Sequence, residues 1–399
     1  MAGERGAAPV LSMVREQRAP LDPPNQYTGF RHEAPITQIR LGEAGPRAWL
    51  VTRWDDARTV LAHSAASTDS TRPGYPTRTP MTMPPGFFLF HDDPVHALFR
   101  KVLTREFMIK RIEALREPTA RIFDGLIDRM IEQGPPSDFV EAISLPLPSL
   151  VISRLLGVPY EDHEFFQEHS KVLIDTAVTG EQKVAAQQAL GDYLEKLVDQ
   201  RRHSPREDLI SRLGEQVDAG AFSSRDAADV GAFLLFAGHE TTANMIGLSV
   251  LALLDNADQL PRLYQGKAEL ANAIEELLRY LTIAQSGLSR VLTEDVTIGD
   301  TTIHAGEGVV VMLNSANRDE SMFADADTLD LTRVNARQHV AFGYGIHQCL
   351  GQPLARMELQ VVLPEVFRRL PNLRVAEGSE VIYKPTAAAY GAARMPVTW

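Results

Sequence analysis

Cysteine is nearly missing from this chain: one residue, Cys349, in 399. A lone thiol closes no internal disulfide, which excludes an oxidised, disulfide-held scaffold. An excess of basic residues is missing too. The formal net charge is −12, and a chain with nothing to neutralise phosphates is not built to bind nucleic acid. The opening stretch MAGERGAAPVLSMVREQRAPL has no apolar segment of signal-peptide type, so a cytoplasmic location is expected. No repeat, low-complexity tract or Gly/Ser linker interrupts the sequence. Length alone would allow two or three domains, but without a boundary signal one domain over 1–399 is expected.

A membrane span is the next class to exclude. VGAFLLFAGHETTANMIGLSVLALL (230–254) is long enough to cross a bilayer. Yet His239, Glu240 and Asn244 fall at its middle, where ionisable groups are costly in lipid. It reads as a helix buried in a large soluble core, with a polar break that needs a purpose.

What is present is helical periodicity. Apolar residues recur at i, i+3/i+4 over 94–116, 118–133, 146–157, 161–175, 181–202, 207–219, 224–255, 258–265 and 267–281. Residues 45–62 suggest a strand, then a helix from about Asp55. A Pro/Thr/Gly-rich loop over 71–85 leads into the apolar run PGFFLF (85–90); long loops of this kind are usually functional. VTIGDTTI (296–303) reads as a hairpin about Gly-Asp, and GVVVML (308–313) as a buried strand. A helix is expected over 352–370, with Pro353 in its first turn and Pro364 kinking or splitting it. The expected class is mainly α with small β-sheets.

FGYGIHQCLG (342–351) holds the cysteine. Just before a helix, the first free amides and the positive helix end are expected to favour thiolate over thiol at Cys349. Gly345 and Gly351 are expected to let the backbone turn tightly and approach something flat. Such a loop suits axial ligation of haem iron. An isolated cysteine is more often a buried structural thiol, and a thiol nucleophile is a third reading. The spacing F-x-x-G-x-x-x-C-x-G separates these readings.

The stretch resembles the haem-binding loop of the cytochrome P-450 superfamily, the haem-thiolate monooxygenases, in the style of soluble actinobacterial members that tailor polyketides and macrolides or oxidise xenobiotics. The resemblance extends over nearly the whole chain. It implies a helical prism with haem b buried between the long central helix and the cysteine-loop helix, and Cys349 as the iron ligand. AGHETT (237–242) is similar to the family's oxygen-activation motif. The Thr241 hydroxyl can bond back to the Ala237 carbonyl, opening a groove. Gly238 is expected to keep the groove wall low and Glu240 to relay protons. E-x-x-R occurs three times, at Glu113–Arg116, Glu276–Arg279 and Glu365–Arg368. Only the middle copy precedes the strands at the family's distance from the cysteine, and the resemblance joins it to Arg333 in a buried structural network. In DDPVHALFR (92–100), His96 and Arg100 share a helix face. The resemblance makes them, with Arg290 and His347, donors to the haem propionates, and adds haem contacts at Ala237, Phe342 and Gly351.

The activity implied is hydroxylation or epoxidation of a bulky hydrophobic molecule such as a macrolide or other polyketide, a terpenoid or a drug-like compound. It would use O₂ and two electrons from a ferredoxin and its reductase. Pocket candidates are Phe88, Leu89, Leu234, Ala237, Ile283 and Ala388, from 85–90, 232–241, 283–288 and 387–389. Arg100, Lys101, Arg105, Lys110 and Arg111 are expected to form either a basic patch suited to an acidic donor or a solvated helix face. A peroxide-driven haem-thiolate enzyme and a non-catalytic haem sensor or carrier are the rival readings; neither needs the Glu240-Thr241 pair. No nucleic acid and no membrane are expected as partners, and the chain is expected to be a monomer.

Overall fold

In the computed structural model, residues 8–77, 82–159 and 179–399 are described, with positions 162, 165, 166, 168, 169 and 172 between them. Most of the helix expected over 161–175, part of the 71–85 loop and the first seven residues lie outside the described set.

The organising element is the helix Ser224–Asp255, begun by a capping box in which Ser223 and Asp226 satisfy each other's backbone amides. At 32 residues it is about 48 Å long. Most of its residues are buried on all sides, which is why the segment looks membrane-like in sequence. Helices Pro146–Leu156, Gly180–His203, Leu209–Asp218, Lys267–Leu281 and Gln352–Arg369 pack around it. Among the described residues no helix is long and apolar enough to cross a membrane.

Strands form a minor layer. Five of them lie in the spatial order Ile36–Arg40, Arg47–Val51, Gly308–Val311, Leu288–Leu292, Ala66–Ser67. Gly308–Val311 pairs in parallel with Arg47–Val51 and antiparallel with Leu288–Leu292, and all four of its residues are buried. Burial on both faces explains its unbroken valine run. Val296–Ile298 and Thr301–Ile303 form a hairpin turned at Gly299, φ 55°.

Several boundaries differ from expectation. The span 94–116 breaks into Val95–Thr104 and Ile109–Glu113, because the chain turns to bury Glu106 and Phe107 and Met108 is extended. The next helix starts at Arg116, with Pro118 in its first turn. The strand 308–313 stops at Val311, and Leu313–Ala316 is a helical turn. Helix Gln352–Arg369 runs through Pro364 without splitting. One lost backbone bond is outweighed by packing against the central helix and helices Arg116–Gln133 and Lys267–Leu281. Nor is there a break in the central helix at 237–242.

PGFFLF docks onto the central helix. Phe87, Phe88 and Phe90 surround Phe233 at 5.4, 5.3 and 6.2 Å between ring centroids. Gly86 is required there: a Cβ would lie 2.6 Å from the Asp226 carbonyl oxygen and 2.7 Å from the Val230 nitrogen.

Candidate active site

The cysteine loop is folded by its own backbone. The Cys349 amide donates to the Phe342 carbonyl at 2.9 Å and Gln348 to Gly345 at 3.1 Å. Gly345 has φ 75°, and a Cβ would meet the Leu61 carbonyl oxygen at 2.3 Å, so only glycine fits. Gly351, expected to serve a tight turn, has an ordinary φ of −77° as the helix cap. A Cβ there would sit 3.9 Å from the Cys349 Sγ, in ordinary contact, so the space beside the sulfur does not by itself require glycine. The amides of Gly351 and Gln352 aim at the sulfur as expected for a helix start. The surrounding protein pushes the Cys349 thiol up, against those amides and the Arg100 and Arg356 charges, although the residue keeps an exposed face. Sequence spacing reveals the donors and not the desolvation. A directly bonded cation would tip this balance, because a coordinating thiol is deprotonated outright.

Four basic side chains converge beside the loop. His96 (3% exposed) and His347 (9%) lie against each other in a tilted pair with ring centroids 4.2 Å apart. Arg100 Nη2 donates to the Gln348 carbonyl at 2.6 Å, and buried Arg290 donates to the Ser289 carbonyl at 2.7 Å. His96 Nδ1 lies 3.3 Å from Asp93, but its Nε2 and the Nδ1 of His347 are buried without a partner among the described residues. Burial lowers the pKa of His96, Arg100 and Arg290. Burial, then His96 and Arg290, holds His347 to about 3. Orphaned nitrogens among crowded cations are chemically incomplete, and the carboxylates of a haem are what they lack. The donor set therefore fits haem.

On the central helix, Thr241 Oγ1 donates to the Ala237 carbonyl at 2.7 Å. Thr241 is exposed in mid-helix while residues 242–253 are buried, and Cys349 is likewise exposed. A Cβ on Gly238 would be 3.3 Å from the Ile152 side chain, so its small size serves packing against helix Pro146–Leu156. His239 is buried there as well, with Nε2 2.9 Å from the Leu145 carbonyl and a pKa lowered by burial to about 4. Glu240 is paired, which sequence spacing did not reveal: Lys384 Nζ lies 3.1 Å from its Oε1 and donates to Asn244 Oδ1 at 2.9 Å. Asn244 in turn donates to the Ala389 carbonyl at 3.1 Å. Glu240 and Asn244 at i,i+4 share a face, the one hint in the sequence that a third group joins them.

The three E-x-x-R copies separate by burial. Glu276 and Arg279 are fully buried, joined at 2.7 and 2.8 Å, and Arg333 Nε reaches both Glu276 oxygens at 3.1 Å. Glu113–Arg116 and Glu365–Arg368 are outward-facing pairs. A second buried network was missed: Glu275, His339 and Arg356.

Of the pocket candidates, Leu89, Ala237 and Ile283 are half-buried, Ala388 is exposed and Leu234 is 6% exposed. Phe88 is no wall residue. It is 2% exposed, packed among His96, Phe99 and Phe233, because the apolar run folds onto the core. Phe236, 48% exposed, is the larger open surface on this helix. Segments 283–288 and 387–389 lie side by side. Gln285 Nε2 donates to the Pro385 and Ala387 carbonyls at 2.9 Å, its amide to Ala388, and Tyr390 donates to the Ile283 carbonyl at 2.8 Å. The basic patch shrinks. Arg100 turns inward to the Gln348 carbonyl and Arg111 pairs with Glu106 at 3.2 Å, leaving Lys101, Arg105 and Lys110 exposed.

Comparison with known proteins supplies the last observation. Residues 268–384 match the family model described as Cytochrome P450. Cytochrome P450-SU2 of Streptomyces griseolus is 47% identical over 406 residues, 99% of each chain. The crystal structure of GfsF, a cytochrome P450 of Streptomyces halstedii, superposes with a TM-score of 0.92 at 42% identity, over 98% of this chain and all of that one. The mycinamicin VIII C21 methyl hydroxylase MycCI of Micromonospora griseorubida, solved with mycinamicin VIII bound, gives 0.85 at 35% identity over 98% of both.

Proposed function

This chain belongs to the cytochrome P450 family, and from that premise we propose that it hydroxylates or epoxidises a bulky hydrophobic small molecule, a polyketide or macrolide, a terpenoid or a drug-like compound, with haem b as cofactor. P450 monooxygenase chemistry is the family's. The substrate class rests on the apolar, small-residue lining of Leu89, Leu234, Phe236, Ala237, Ile283 and Ala388. MycCI, a hydroxylase of mycinamicin VIII, is consistent with it. The observation that carries the haem reading is the pair of orphaned ring nitrogens, His96 Nε2 and His347 Nδ1, beside the cysteine loop.

In this reading Cys349 holds the iron, and His96, Arg100, Arg290 and His347 hold the haem carboxylates. Phe342 and Gly351 pack against the ring. Bound haem supplies activation of O₂ and transfer of one oxygen atom, with the thiolate donating electron density. The chain's own residues manage protons and water. Thr241 spends its hydroxyl proton on the Ala237 carbonyl, which leaves its oxygen free to accept a hydrogen bond from a proton-carrying water. Glu240 sits one residue away, its carboxylate pinned by Lys384 at the mouth of a relay. Two electrons per turnover come from a ferredoxin and its reductase. Lys101, Arg105 and Lys110 support docking of an acidic donor. The same reading carries a cytoplasmic monomer, one domain over 1–399.

The test has two arms. Reduced, haem-loaded protein should give a thiolate-type carbon monoxide difference band that Cys349→Ser abolishes; a band unchanged by the substitution refutes the iron ligand. An optical titration against macrolides, other polyketides and terpenoids should identify the compound that displaces iron-bound water. Turnover of that compound with peroxide alone, equal to turnover with reduced ferredoxin and O₂, would overturn the ferredoxin-dependent reading.

A further inference from the structure

Glu275 stands beside the Glu276 network and yet faces a different set of partners. Arg356 grips it with two hydrogen bonds, Nε to Oε1 at 2.6 Å and Nη2 to Oε2 at 2.9 Å. His339 Nε2 lies 3.1 Å from Oε2. The Ala341 amide donates to His339 Nδ1 at 3.1 Å, so that nitrogen is the acceptor and Nε2 carries the proton to Glu275. Burial pushes the Glu275 carboxyl up, but His339 and Arg356 together hold it to about 2. At neutral pH the network is therefore one negative carboxylate, one positive guanidinium and one neutral imidazole.

This network is built into the cysteine loop at both ends. The Arg356 guanidinium lies over the Phe342 ring at 4.7 Å, and the His339 ring is 5.9 Å from it. Phe342 supplies the carbonyl that holds the Cys349 amide. On the other side Arg356 Nη1 donates at 2.7 Å to the side chain of Gln352, whose backbone amide is aimed at the sulfur. Helix packing alone does not call for a full charge pair brought under this loop.

We propose that Arg356 and Glu275 are positioning residues that set the reduction potential of the centre ligated by Cys349, with opposite signs. This rests on the haem-thiolate reading above. Adding an electron to the centre is favoured by the nearby guanidinium and opposed by the carboxylate, through a partly buried medium in which unit charges act strongly. Arg356 is charged at any relevant pH, so removing the Glu275 charge leaves it uncompensated.

The experiment is a mediated potentiometric titration of purified haem-loaded protein at fixed pH. It compares the wild type with Glu275→Gln, Arg356→Met, Arg356→Lys and the double variant Glu275→Gln/Arg356→Met. At a fixed potential, Glu275→Gln should raise the reduced-to-oxidised ratio about tenfold, a shift of about 59 mV for one electron. Arg356→Met should lower it by a similar factor. The double variant and Arg356→Lys should stay near wild type. A merely structural brace would move both single variants in the same direction and would not spare Arg356→Lys. Single variants shifting together, no shift in Glu275→Gln, or Arg356→Lys shifting as far as Arg356→Met overturns the proposal. The carbon monoxide band of the wild type separates the two questions: without a thiolate-type band the haem reading itself fails, and with one any of these results counts against the potential-setting role alone.

Discussion

Three copies of E-x-x-R in one chain allow the effect of burial to be measured with the chemistry held constant. The perturbation is Glu276→Gln against Glu365→Gln. Glu276 accepts two hydrogen bonds from Arg279 at 2.7 and 2.8 Å, two from Arg333 at 3.1 Å and one from the Asp330 amide at 3.0 Å. An amide offers one oxygen, and its NH₂ group then faces guanidinium donors. Arg279 keeps the carbonyls of Asn317, Ala326 and Thr328, and Arg333 those of Ala324, Asp325 and Thr328. What is lost is the charge that compensates two buried cations. Removing one member of a buried ion pair costs about 3–5 kcal/mol. With 399 residues and an unfolding entropy of about 2.1 cal/mol/K per residue, that is a melting-temperature drop of about 4–6 °C. Glu365→Gln breaks the same i,i+3 pair on the surface, where water replaces it, and should produce no measurable shift. Thermal denaturation of both variants by far-ultraviolet circular dichroism decides the matter. Equal melting temperatures would refute the inference that burial, rather than the motif, gives this network its strength.

Thr241→Val removes the hydroxyl bound to the Ala237 carbonyl. Reductant consumption should continue while product per electron falls at least about tenfold and hydrogen peroxide replaces it; unchanged coupling, read as the product-to-peroxide ratio, would exclude a proton-handling role. Combining His96→Phe with His347→Phe deletes both orphaned nitrogens and should lower haem retained per chain after gel filtration without moving the carbon monoxide band, whereas full retention would contradict the carboxylate contacts. Glu358 is buried, its Oε2 has no partner among the described residues, and burial holds its carboxyl well above the ordinary range. It stays protonated in the fold and ionises on unfolding, so its stabilising contribution is present in acid and is lost as pH rises toward its folded pKa, by up to about 1.4 kcal/mol per unit. Glu358→Leu should therefore gain stability relative to the wild type as the pH is raised from about 5 to 8, measured by denaturant unfolding across that window.

The parts of the site that were legible in sequence are those whose residues lie close together or at a diagnostic spacing: the Cys349 loop, the Thr241–Ala237 bond, and the choice of Glu276 among three candidates. Lys384 on Glu240, Gln285 under the 385–388 turn and Arg356 on Glu275 were not. Each joins segments roughly 80 to 144 residues apart, and no local pattern marks a lysine, a glutamine or an arginine for such a task. The packing of Gly238 against Ile152 was also not legible, because periodicity gives relative faces and not which neighbour covers them. The Cys349 sulfur shows a related limit: helix amides can be counted along the chain, while desolvation depends on everything that surrounds the sulfur.

The turn over 385–388 has one more implication. Gln285 grips it through main-chain carbonyls alone, those of Pro385, Ala387 and Ala388. None of the alanine methyl groups takes part in holding the backbone where it is. In the proposed reading, where Ala388 lines the pocket, selectivity can therefore drift, in evolution or in a randomised library at 387–389, without disturbing the backbone that holds this turn. A protein arranged in this way can acquire a new diet while keeping its engine.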